Sequence, residues 1–140
     1  MNAGVLNRRV LLLEAVVIGF PLTVSIGIGA FVASIGLLPA VLLPSDWRLT
    51  AFLAWLAASG CAVGVYGYWA LLSWLQGWYR ASVLAYWIAL ASLHIGLMTI
   101  SGLLMHDWVR AELGSMLIAG LAVGSHVTLS GWWRVLPRGL

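Results

Sequence analysis

The sequence predicts an all-α integral membrane protein of four transmembrane helices, and three observations carry that prediction. Hydrophobic side chains make up 63% of the 140 residues and charged ones 8%, too little polarity to cover a soluble globule, so the solvent of the fold is lipid. The apolar runs are long enough for four crossings at roughly 20 residues each. Four short blocks also recur in the same order in the two halves. They are IGL (Ile35–Leu37, Ile95–Leu97), LLPSDW and LLMHDW (Leu42–Trp47, Leu103–Trp108), GCAVG and GLAVG (Gly60–Gly64, Gly120–Gly124), and LQGWYR and LSGWWR (Leu75–Arg80, Leu129–Arg134). The repetition predicts a single membrane domain over residues 1–140 built from two helical hairpins, about 8–80 and 81–134, related by a pseudo-two-fold axis along the membrane normal.

The first span follows a short polar lead and the Arg8-Arg9 pair. Val10 to Leu38 is apolar apart from Glu14, longer than a helix needs to cross about 30 Å of hydrocarbon, so the surplus goes into tilt, a kink at Pro21 or a protrusion. It also exceeds a signal-peptide core and lacks a small-residue cleavage site, so it is expected to remain as a span. Pro39 and Pro44 are expected to break the helix, with Ser45–Arg48 as the first polar turn. The second span is expected from about Leu49 to Trp78, the third from Ala81 to Met105, and the fourth from about Leu113 to Trp133.

The repeated residues have structural work to do. Asp46 and Asp107 stand just before helices, where a carboxylate can accept from free backbone amides and meets the positive end of the helix dipole. Trp47, Trp108, Trp78 and Trp133 fall at span ends, where indole rings prefer the headgroup layer, and Arg80 and Arg134 mark the same end of each hairpin. Gly60 with Gly64, and Gly120 with Gly124, give the spacing for close helix contact in lipid, and under the two-fold both pairs could meet at the axis.

All seven basic residues are arginines. Arg8, Arg9, Arg80, Arg134 and Arg138 fall on one side, and Arg48 and Arg110 fall on the other with Asp46, Asp107 and Glu112. The positive-inside rule then places both termini in the cytoplasm of a bacterial-type inner membrane. Arginines scattered between apolar runs are topology signals and give no nucleic-acid surface. Cys61 is the single cysteine, which excludes a disulfide or CxxC metal site within one chain.

Chemistry, if it rests on single side chains, rests on Glu14, His94 and His126, because ionisable groups inside spans are costly and mark functional positions. Glu14 lies about 6–8 Å beyond Arg9 along the helix, near enough to pair with Arg8, Arg9 or Arg80. It shares a helical face with Pro21, Ser25 and Gly29, as a proton- or cation-coupling carboxylate in a transporter or channel would. His94 and His126 are expected at similar depths in neighbouring spans, which leaves open a bis-histidine b-type haem or a quinone-linked redox subunit beside a plain hydrogen-bonding role. The repeat puts Ser34 and Tyr66 where the second half has these histidines. No catalytic constellation and no metal motif is present in the sequence. The leading expectation is a non-catalytic accessory or structural subunit, associating with other membrane subunits or with itself in the bilayer.

Overall fold

The computed structural model of the chain describes residues 3–40, 44–78 and 82–135. In order it has α1 (Ala3–Glu14), a π-helical turn (Ala15–Gly19), α2 (Phe20–Ala40), α3 (Ser45–Gln76), α4 (Val83–Leu104) and α5 (Asp107–Val135), with no strand among the described residues. Among the described residues, four stretches are long and apolar enough to cross a membrane: Asn7–Val32, Trp47–Gln76, Val83–Leu104 and Leu113–Trp132. The chain is therefore a multi-pass helical membrane protein in which α1, the π turn and part of α2 make one continuous span.

Local chemistry sets the helix ends. Pro44, with φ −54° and ψ 155°, stops any helix from running in, and its carbonyl accepts from the amides of Trp47 and Arg48 to start α3. Gly77 ends α3 at φ 80°, a left-handed conformation that glycine adopts without a Cβ penalty. The bonds Trp78 N to Ser73 O and Gly77 N to Trp74 O complete a Schellman cap. Ser82 caps α4 by accepting from the Ala85 amide at 3.2 Å.

Three sequence expectations change here. The helix α2 continues through Pro39 to Ala40, and Pro44 stands at the N-cap of α3. Asp107 is the first residue of α5, and its carboxylate accepts from the Arg110 guanidinium three residues on, at an exposed position. The two glycine pairs go to separate contacts, Gly60 and Gly64 against α4, Gly120 and Gly124 beneath leucine side chains. Trp47 and Trp78 are exposed at the two ends of α3. Arg80 lies outside the described residues, as do the side chains of Asp46, Trp108, Trp133 and Arg134.

The central pair is α3 with α4, whose contact is the most extensive; the first span flanks α3, and α5 packs mainly on α4. Small residues make the central approach possible. A Cβ on Gly64 would lie 2.5 Å from Gly96 Cα, and one on Gly67 would lie 2.5 Å from the Ala89 carbonyl oxygen, while Gly60 faces Thr99. In lipid, where burial of apolar surface gives no drive, such backbone approach is what holds helices together. Gly120 and Gly124 instead receive Leu22 of α2 and Leu97 of α4, each 2.7 Å from where a Cβ would stand.

Packing is uneven along the bundle. Toward the chain ends, Leu11, Leu71, Leu72, Leu75 and Val127 are almost wholly enclosed. Toward the other end, the buried cluster shrinks to Cys61, Ile100 and Leu117. There Gly29, Ala30, Ala54, Ala57 and Ala58 leave an apolar cleft of about 540 Å³ between α2, α3 and α5.

Candidate functional site

The polar residues of the tightly packed end converge on one place. Glu14 closes α1, and His126 lies on α5, 112 residues later; Nδ1 of His126 stands 2.7 Å from Oε2 of Glu14. The other ring nitrogen, Nε2, is 3.2 Å from Oδ1 of Asn7. The Asn7 amide nitrogen in turn donates to the Ser130 hydroxyl at 3.4 Å. His126 and Ser130 are one helical turn apart and share a face of α5, while Asn7 and Glu14 are two turns apart in α1, so two helices each present a polar stripe to the other. The side chains of His126 and Glu14 are 32% and 27% exposed. Glu14 lies about 10 Å along the helix from Asn7, roughly a third of the way through the hydrocarbon.

The π turn starts at the residue after Glu14. In it the Phe20 amide bonds back five residues to the Ala15 carbonyl. Its cause is at hand in Pro21, which has no N–H for the ladder and whose ring would strike the carbonyl four residues back in a regular α-turn. One extra residue in a turn rotates the downstream helix by roughly 100° relative to the upstream one. The expected common face of Glu14, Pro21, Ser25 and Gly29 is therefore split: Glu14 turns toward α5 and Pro21 is exposed, while Ser25 and Gly29 border the cleft between α2, α3 and α5.

Below the turn a second set of contacts fixes the register. Trp69 donates from Nε1 to Thr23 Oγ1 at 2.8 Å, and Thr23 Oγ1 donates to the Gly19 carbonyl at 2.7 Å. The Tyr68 hydroxyl packs on Gly19 so closely that an added Cβ would be 2.8 Å from it. Gln76, at the end of α3, donates to the Arg8 carbonyl at 2.9 Å and ties the start of the first span to the same end of the bundle.

His94 is elsewhere. It is exposed on α4, with Nδ1 2.8 Å from the Leu90 carbonyl of its own helix. The two histidines thus have separate partners, and both nitrogens of His126 are engaged by Glu14 and Asn7. Among the described residues no three His, Cys, Asp or Glu side chains come together as a metal site.

Sequence reasoning selected Glu14 and His126 without pairing them, and it passed over Asn7, Ser130, Tyr68, Thr23 and Trp69. The spacing of His126 and Ser130 was the available signal for one polar face on α5. No protein-family model, no curated protein and no solved structure matches the chain.

Proposed function

We propose that the chain is a small proton-coupled membrane transporter or channel, with the Glu14–His126 pair as the group that takes up and releases the proton. The observation that carries the reading is the 2.7 Å carboxylate–imidazole contact inside a span, placed against a π turn. Ionisable groups at such depth mark proton and ion pathways, and π turns within helices recur at functional sites.

The hydrogen-bond pattern suggests how the site would work. Asn7 presents Oδ1 to His126, so Nε2 carries a hydrogen and donates it. Nδ1 and Oε2 then share one further proton, either as imidazolium with carboxylate or as neutral ring with carboxylic acid. When that proton leaves, the remaining hydrogen can reside on Nδ1 and donate to the carboxylate, leaving Nε2 with a lone pair. The Asn7 amide then turns by 180°, donating to Nε2 while Oδ1 accepts from the Ser130 hydroxyl. Loading and unloading thus change the net charge of the Glu14–His126 pair by one and turn the Asn7 side chain near the start of α1. By the arginine count, that end and both termini face the cytoplasm of a bacterial-type inner membrane.

The direct test is purified protein in liposomes with an internal pH dye. The parent protein should dissipate an imposed proton gradient, and Glu14→Gln should fall to the leak of protein-free vesicles. Equal flux from both would remove Glu14 from the mechanism and the reading with it.

His94 favours a second reading, association with another membrane protein or a further copy. It lies about 16 Å along α4 from Val83, near mid-membrane, and is exposed there, whereas polar groups at such depth ordinarily face protein. The mass of the complex extracted from native membranes, with and without His94, tests it.

A further inference from the structure

The outward imidazole on α4 offers a partner one particular chemistry. Nδ1 of His94 stands 2.8 Å from the Leu90 carbonyl of its own helix, and a carbonyl only accepts, so Nδ1 carries the hydrogen. In a neutral ring the other nitrogen, Nε2, is then a bare acceptor, and it has no partner among the described residues. An acceptor without a donor is costly at mid-membrane, where no water supplies one.

The matching donor lies on the neighbouring helix. Ser125 is exposed on α5 and its hydroxyl has no partner among the described residues, whereas Thr99 and Ser101 of α4 and Thr128 of α5 donate to the carbonyl four residues back. Depth and direction agree. Leu93 and Leu97 reach the place where a Cβ of Gly124 would stand, so these residues make the α4–α5 contact at one level. His94 and Ser125 each follow one residue later, turned by about 100°. Because the helices run antiparallel, the two turns have opposite sense seen down the membrane and bring both side chains to the same outer side of the pair. The inner side is occupied, since Gly96 meets α3 and His126 meets α1. Counted along the axes, His94 is about 16 Å from Val83 and Ser125 about 15 Å from Val135, the helix ends on one membrane face.

We infer that this outer face of α4 and α5 is the contact with a second copy of the chain, in which His94 of each copy accepts from Ser125 of the other about a two-fold axis along the membrane normal. The inference deepens the association reading of His94 and rests on it. Symmetry selects the arrangement. A two-fold along the normal sets α4 against the second copy's α5 at equal depth, so an acceptor meets a donor twice. A two-fold lying in the membrane plane along this face would set α4 against α4, with two bare acceptors facing each other. Ala91 and Ala122, both exposed and one turn from His94 and Ser125, leave room for the helices to approach.

The test uses the full chain in lipid bilayers. His94→Cys and Ser125→Cys, on copies with tags of different size, are reconstituted together and oxidised. Both positions are exposed in the single chain, and Cys61 is buried and stays as it is. In a mixed dimer the two introduced thiols face each other, while the remaining His94 and Ser125 keep the second hydrogen bond. The mixed pair should form a disulfide-linked dimer at least about tenfold more than either variant alone, whose thiols lie across the axis from each other. Dimer affinity should fall about tenfold in His94→Leu and in Ser125→Ala, because each loses both bonds, and the double variant should fall no further. A mixed pair that links no better than the single variants, or losses that add in the double variant, overturns the inference. So does a chain that stays single in the bilayer. If the complex extracted from native membranes then holds a different protein whose binding needs His94, the association reading survives without the second copy.

Discussion

The Glu14–His126 contact should be a coupled pair, and a double-mutant cycle measures the coupling. Glu14→Leu and His126→Leu each remove one partner and keep an apolar side chain in its place. A hydrogen bond involving a charged group contributes about 1.5–3 kcal/mol, whereas measured pairs inside membranes average about 0.6 and reach about 1.7. The 2.7 Å separation argues for the upper part of the membrane range, and side-chain exposures of 27% and 32% discount the soluble-protein figure. The expected coupling is therefore about 1–2 kcal/mol. Each single variant strands its partner and loses about 1–3 kcal/mol, while the double variant, with both polar groups gone, should lie closer to the parent than the sum of the singles. Reversible unfolding in mixed micelles, followed by helical circular dichroism, gives the four free energies. Additivity within about 0.5 kcal/mol is what independent sites show, and it would refute the pairing.

The glycine crossing makes an opposite-sign comparison. Gly64→Ala puts a Cβ 2.5 Å from Gly96 Cα, about 1 Å inside normal contact and against backbone, so overpacking should outweigh the gain in helix propensity and cost about 1–2 kcal/mol. Gly27→Ala meets nothing within 4 Å and should gain up to about 1 kcal/mol, so equal effects in the same unfolding assay would contradict the close α3–α4 approach. His94→Leu should leave unfolding of the isolated chain nearly unchanged but reduce the mass of the complex extracted from native membranes; an unchanged mass would show that the outward imidazole does not hold a partner.

Membrane segmentation was legible because it depends on composition alone. Runs of apolar residues between Arg9, Pro44, Arg80 and Asp107 leave few other ways to divide the chain, and the helices fall close to the expected spans. The Gly60–Gly64 contact was legible as close packing, yet its partner Gly96 was not. The pairing of Glu14 with His126 was out of reach for a related reason. In a soluble helix the contrast between apolar and polar faces tells which side turns inward, but these helices are apolar nearly all round, so rotation about each axis is weakly encoded. The sequence therefore identified the costly residues and could not say which of them meet. Depth alone sets His94 and His126 side by side, whereas their hydrogen-bond partners differ, the Leu90 carbonyl for His94 and Glu14 with Asn7 for His126.

The π turn is what reconciles two demands on the first span. Upstream, Leu11 and Ala15 are buried and Glu14 flanks them toward α5. Downstream, Thr23 must reach Trp69 and Gly19 must receive Tyr68. In an unbroken α-helix at about 100° per residue, Thr23 lies roughly 180° from Glu14, and Pro21, Ser25 and Gly29 would occupy the Glu14 side instead. The added residue rotates Thr23 inward and carries Pro21 out, so one helix presents Glu14 to α5 and Thr23 to α3. Pro21 makes the wide turn favourable by removing the donor that a regular turn would have used. The same insertion therefore leaves Glu14 with His126 of α5 and sets Gly19 and Thr23 against Tyr68 and Trp69 of α3.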